Sequence, residues 1–240
     1  MENKSFSDVV SRSKAPFTTR LAANCGLAAN FHAEAHPSLP DYLAMTSGST
    51  HGVSDDHSPS SHHIRGPSIF SQLGSNWRAL EESMPRSCDR SSSGRYAVRH
   101  NPAAYYTGLT RTCGERDVPL KRLPDISARF TFITPNLCHD THDCGVGTGD
   151  RFLAVLIPRI VKSRQYRDGH TAIFITYDEN DGGAGNRIPT IVISPSTKPG
   201  TVSRARFDHY SLLRTTEDML ALAPIAGAAR AASMRAAFRL

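Results

Sequence analysis

A chain of 240 residues with 39% hydrophobic content is long enough to bury a sizeable core, as one large domain or two small ones. Lys and Arg number 28 against 22 Asp and Glu, a net charge of +6 that suits an anionic substrate and equally serves solubility alone. No stacking aromatics interleave with those charges, so nucleic acid is not expected as a partner, and no apolar run approaches the roughly 20 residues of a membrane-spanning helix.

Taken in order, residues 5–35 predict a short helix marked by Leu21, Ala22, Leu27 and Ala28, then a strand or loop approach to HPSLPDYLAMTSGST (36–50). In that segment Pro37 and Pro40 bracket Ser38, a helix-like run covers Asp41–Met45, and Ser47-Gly48 supplies the stop. Ser38 thus sits at a helix amino terminus, where free N–H groups and partial positive charge suit a phosphate, although serine there also serves simply as a cap.

Residues 49–66 are polar, with His51, His57, His62 and His63 beside Asp55 and Asp56. Their spacing fits no established metal site and predicts a surface loop. Helical spacing of Ile69, Phe70, Leu73, Trp77 and Leu80 predicts a helix over 68–84, with Trp77 in the core. Residues 85–125 are rich in Arg, Ser, Gly and Pro, and within them Pro102 favours an extended backbone at Asn101.

RFTFITPN (129–136) reads as a strand. The loop after it carries Asp140, His142 and Asp143 at a strand's carboxyl end, the edge where open α/β sheets build sites, so Asp140 and His142 are expected to touch substrate or metal. Asp150 is expected to cap the helix RFLAVLIPRIVKS. A strand over Ala172–Thr176 ends in Asp178 and Glu179, adjacent carboxylates that repel unless a cation or a base compensates them. RIPTIVISP (187–195) is a further buried strand. Asp208 or Ser211 caps a last helix with Leu212, Leu213, Met219 and Leu220 on its buried side and His209 at its entry. From Ala226 the Ala/Arg-rich tail is expected to be helical or disordered. Of the five cysteines, Cys138 and Cys144 could staple the HDTHD loop and Cys88 could pair with Cys113, leaving Cys25 over, a pattern that suits an exported protein.

The alternation of strands and helices predicts an α/β sandwich of three layers with a mostly parallel central sheet. MENKSFSDVV, HPSLPDYLAMTSG, YAVRHNPAAYY, TPNLCHDTHDC, ITYDENDG and DHYSLLRTTEDMLAL occur in the order found in the bacterial phosphoesterase family of acid phosphatases and phospholipases C, and the chain resembles that family over residues 1 to about 225. The resemblance implies an alkaline phosphatase-like fold, a domain over 1–225 with a tail over 226–240, and hydrolysis of phosphate esters through a phosphoserine at Ser38. It also implies a divalent metal ion of unspecified identity held by Glu2, Asn3, Ser38, Asp178 and Glu179, with His100, His142 and His209 as catalytic groups and Asn101 and Asp140 near the substrate. The expected partner is a small-molecule or lipid phosphate ester, with peripheral contact to membrane lipid open. The expected location is secreted or in the cell envelope. In the family the first motif follows a buried strand, so such a strand and a leader are expected upstream of Met1. A catalytically inactive phosphate- or metal-binding remnant of the fold is the alternative reading.

Overall fold

A computed structural model of the protein describes residues 1–240, the side chain at 184 excepted. Its strands are β1 (Gly26–His32), β2 (Trp77–Glu81), β3 (Asp117–Pro119), β4 (Phe130–Thr134), β5 (Ile173–Thr176), β6 (Arg187–Ile193), β7 (Thr201–Ser203) and β8 (Phe207–Asp208). Four helices position the site: α1 (Pro16–Asn24), α2 (Ser38–Ser47), α3 (Val146–Val161) and α4 (His209–Met219).

The strands form two sheets. One has the order β5-β6-β1-β7, with β8 also paired to β1, and the other is β3-β2-β4. Both neighbours of β6 are antiparallel to it, whereas the β1–β7, β1–β8, β2–β3 and β2–β4 pairs are parallel. The expected single, mostly parallel sheet is therefore divided, and its larger part is mixed. The physical reason for the antiparallel β6 is the short connection from Thr176 to Arg187, since a parallel neighbour needs a crossover of a dozen or more residues.

Helices cover both faces of the larger sheet, which preserves the three layers. Ala22 of α1 and Leu153 and Ile157 of α3 pack with Leu27, Ile191 and Ile193 on one face. Leu212 of α4 packs with Ala28, Ile188 and Val192 on the other. The alternation of Ile191 and Ile193 with Val192 between these clusters is the period-2 rule acting on a strand buried on both sides. A third cluster, built on Phe70, Trp77 and Tyr105 with Leu39 and Leu43 of α2, anchors the smaller sheet.

Three local expectations change. The predicted helix over 68–84 stops after Gln72, and Trp77–Glu81 is β2. Gly74, at φ 61°, turns the chain out of the helix, and Ala79 and Leu80 are then buried in an extended ladder between β3 and β4. Trp77 is fully buried, as expected. Asp150 lies inside α3, which begins at Val146 behind Gly145. Its carboxylate instead accepts from Phe17 N, Thr18 N and Thr18 Oγ1, capping α1, whose own N-cap Ala15 has no acceptor. The tail is ordered as two short helical turns that bury Met234 and Phe238. Asp208 caps α4 through Ser211 N at 2.8 Å, and the Cys88–Cys113 and Cys138–Cys144 disulfides are formed.

Candidate active site

The site lies where the carboxyl ends of β4 and β5 meet the amino end of α2. Pro37 is the N-cap of α2, Ser38 its first residue, and Gly48, at φ 70°, its left-handed stop. A side chain at Gly48 would collide with Ile225 O at 2.7 Å, so glycine is required there on two counts.

Ser38 is 1% exposed. Its Oγ lies 3.1 Å from Glu2 Oε2 and 3.3 Å from Glu179 Oε1, so its single proton can be donated to either carboxylate. Tyr42, one turn later on α2, donates to Glu2 Oε1. Asn3 N donates to Asp178 Oδ1 at 3.1 Å. His36 contacts the second oxygen of Glu179. His100 is buried with Nε2 at 3.2 Å from Glu2 Oε2 and Nδ1 at 3.3 Å from Asp140 Oδ2. Glu2, Asn3, Ser38, His100, Asp140, Asp178 and Glu179 are thus brought together from five separate stretches of chain.

So many acids in one dry place disturb one another. Burial, then Asp178 and Asp140, push the Glu2 carboxyl well above the usual range. Burial and Asp178 push Glu179 up to about 8, and burial pushes Asp140 up to about 7. Burial would raise Asp178 too, but its hydrogen bond with Glu2 and the Met1 ammonium more than offset that and hold it low. Burial lowers the pKa of His100 well below its ordinary value, outweighing the carboxylate of Asp178.

The donor set fits a divalent cation. Asn3 Oδ1 and Asp178 Oδ2 are buried without a hydrogen-bond partner, and the carboxylates around them carry mutually repelling charge. Oxygen donors of this kind suit a hard or borderline ion. Glu2, His100 and Asp140 additionally offer ligand atoms within 4.8 Å of one another.

The other predicted residues are placed differently. His142 is partly exposed, its Nδ1 donating to Asp143 Oδ1 at 2.7 Å and its Nε2 accepting from Arg99 Nη2 at 3.1 Å. Its ring is 6.1 Å from that of His100. His209 is fully buried, and both its ring nitrogens are taken, Nδ1 by Asp41 Oδ1 at 3.1 Å and Nε2 by the Tyr177 carbonyl at 3.0 Å. Burial works against its charge, but the Asp41 carboxylate outweighs it and raises its pKa. Asn101 is bonded to Asp117 Oδ2 at 2.8 Å and Tyr96 Oη at 3.0 Å, on the side of the smaller sheet.

Sequence reasoning missed Tyr42, Asp41, Arg99 and His36. Tyr42 follows Ser38 at i+4, a spacing that puts both on one helix face. Arg99 adjoins His100 in a segment already singled out. The Asp41–His209 pair spans 168 residues and leaves no sequence signal.

The family model described as the Phosphoesterase family matches residues 4–223. The chain belongs to that family. It is 29% identical over 233 residues to the phosphatidylinositol-3-phosphatase of Mycobacterium tuberculosis, covering 92% of this chain and 75% of that one. It is 26% identical over 231 residues to the acid phosphatase of Aspergillus fumigatus, covering 80% of this chain and 48% of that one, so it spans about half the length of that relative. The solved structure of an alkaline phosphatase superfamily protein from Vibrio parahaemolyticus shares the fold at 10% identity, with a TM-score of 0.62 over 95% of this chain and 68% of the other. The alkaline phosphatase-like α/β architecture expected from the six sequence blocks is therefore the one observed.

Proposed function

We propose that this chain hydrolyses phosphate esters, with Ser38 as the nucleophile. The observation that carries the reading is the Ser38 hydroxyl, held at the amino end of α2 between the carboxylates of Glu2 and Glu179. A hydroxyl so placed has an acceptor for its proton and the positive end of a helix beside the attacked phosphorus. The names of the related phosphatases support the same chemistry.

In this reading the Ser38 oxygen bonds to phosphorus as the ester oxygen leaves and takes a proton, giving a phosphoserine. Water then attacks the same phosphorus, returning the hydroxyl and releasing phosphate. Arg99 and His142, partly exposed beside the buried cluster, meet the phosphoryl oxygens and the leaving group. His209, with both nitrogens engaged, acts as a positioning residue that fixes Asp41 in the first turn of α2. Bound by Glu2, Asn3, Ser38, Asp178 and Glu179, a divalent cation would acidify the serine hydroxyl and neutralise phosphoryl charge. The relatives named as phosphatases favour monoesters over the diesters a phospholipase C cleaves, and a lipid headgroup phosphate is within the class. The two disulfides support an exported location.

The test is hydrolysis of p-nitrophenyl phosphate from pH 5 to 9 by wild type and Ser38→Ala, with and without chelator. We expect at least a thousandfold loss in the variant and recovery of the chelated wild type on adding a divalent ion. Turnover unchanged in a folded Ser38→Ala sample overturns the mechanism, and phosphate binding without turnover in the wild type identifies an inactive remnant. Relative rates on a monoester, a phosphatidylinositol monophosphate and phosphatidylcholine then fix the substrate class.

A further inference from the structure

The polar loop over 49–66, whose histidine spacing fits no established site, folds three of its side chains onto one another. His62 Nε2 bonds to Asp55 Oδ1, and His57 Nδ1 lies 3.3 Å from Asp55 Oδ2. The two imidazole rings are stacked, with centroids 6.2 Å apart and planes 21° from parallel. One ligand atom from each of the three residues lies within 4.8 Å of the other two. A carboxylate–histidine hydrogen bond needs only one ring. Here two rings bring a nitrogen to opposite oxygens of one carboxylate, which is the disposition of a chelating set.

The loop is tied down around them. Tyr105 Oη donates to the His57 carbonyl at 3.0 Å, and His57 N donates to Asp55 Oδ1 at 2.9 Å. A turn follows, in which Ser61 N and His62 N both donate to Ser58 O. Two residues on, Ile64 is buried, with Ile64 N donating to Tyr105 O at 3.1 Å and Thr107 N to Ile64 O at 3.0 Å. The backbone that carries the three donors is therefore ordered in advance, and an ion that binds them has less chain entropy to overcome. The His57 side chain is 72% exposed, which leaves an entry path from solvent and a position for water in the shell.

We propose that Asp55, His57 and His62 form a second metal site, for zinc or a similar borderline divalent cation, separate from the active-site donors and linked to them through Asp56. Two of its three donors are imidazole nitrogens, which suits zinc and departs from the all-oxygen shells of magnesium and calcium. Ligand atoms on a tetrahedral zinc ion stand roughly 3.4 Å apart, so a small rotation of the exposed His57 ring closes the set. The neighbouring Asp56 makes inward contacts. Its Oδ1 accepts from Leu39 N at 2.9 Å, in the first turn of α2 beside Ser38, and its Oδ2 lies 3.5 Å from Arg99 Nε. An ion that fixes Asp55 therefore stiffens the carboxylate that holds both the amino end of α2 and Arg99.

The experiment titrates zinc into the whole chain by calorimetry, with excess magnesium present to occupy all-oxygen donor sets. Wild type is compared with His57→Ala, His62→Ala and a control, His63→Ala, an exposed neighbour outside the cluster. Hydrogen exchange at the Leu39 amide is followed with and without zinc. We expect His57→Ala and His62→Ala each to weaken one zinc ion per chain by roughly tenfold or more, and His63→Ala to bind as wild type does. The Leu39 amide should slow severalfold on adding zinc to wild type and His63→Ala, and not in the other two. Equal zinc binding in wild type, His57→Ala and His62→Ala overturns the site, as does a wild type that binds no zinc against magnesium. An equal loss in His63→Ala shows unspecific capture by a histidine-rich loop and overturns it as well. Zinc bound at the cluster with an unchanged Leu39 amide overturns the link through Asp56. None of these readouts is turnover, so the outcome is independent of whether Ser38 is the nucleophile.

Discussion

Ser38 Oγ and Glu2 Oε2 lie 3.1 Å apart, although 36 residues separate them along the chain. Glu2 is fully buried and shares its environment with Asp178 and Asp140, so its carboxyl is poised in conflict with its neighbours rather than for stability. Sites arranged this way commonly trade stability for activity.

Glu2→Gln keeps the shape of the side chain and removes the charge conflict. We expect kcat/KM on p-nitrophenyl phosphate to fall about a hundredfold while Tm holds or rises by a few degrees. A melt and an assay on the same sample check this, and retained activity would remove Glu2 from the machinery. Combined with Ser38→Ala, the losses should be far from additive, because the two groups act as a unit.

Asp150 supports α1 from a distance in sequence. Its three hydrogen bonds to Phe17 and Thr18 are made by a buried carboxylate, and losing them leaves two helix N–H groups unpaired. Asp150→Ala should cost about 2–4 kcal/mol in urea unfolding at pH 7. Activity per folded molecule should be unchanged within twofold, since α1 contributes no residue to the site.

Asp117, buried in β3, has its carboxyl pushed up to about 7 by burial, and its Oδ1 has no partner. Between its ordinary value of 3.8 and about 7 the unfolded chain has released this proton while the folded chain keeps it. The folded state binds more protons there, so this contribution to stability falls as pH rises through that window and is flat above it. The full loss is on the order of 4 kcal/mol. Asp117→Asn retains an acceptor for Asn101 and should flatten the decline, making the variant more stable than wild type at pH 8. Parallel denaturant titrations at pH 5 and pH 8 decide it: an equal offset at both would show that Asp117 does not titrate in this range.

The sequence by itself determined the local events. Alternation in RFTFIT made β4 legible, and the apolar runs of β5 and β6 were legible because a strand buried on both faces has nowhere to put polar side chains. The proline and glycine limits of 36–48 made α2 and the place of Ser38 legible, because proline fixes φ and glycine alone takes the left-handed stop without strain, whatever surrounds them. Only the tertiary structure decided which distant groups meet. The carboxylate of Asp150 faces α1 rather than its own helix, and Asp41 pairs with His209 across 168 residues, since hydrogen bonds between elements depend on packing and leave no periodicity behind. Gly74 turned a helical pattern into β2 because burial between β3 and β4 outweighs local propensity. The division of the sheet at β4 and β5 is likewise invisible in either strand, for an edge is defined by the neighbour a strand lacks.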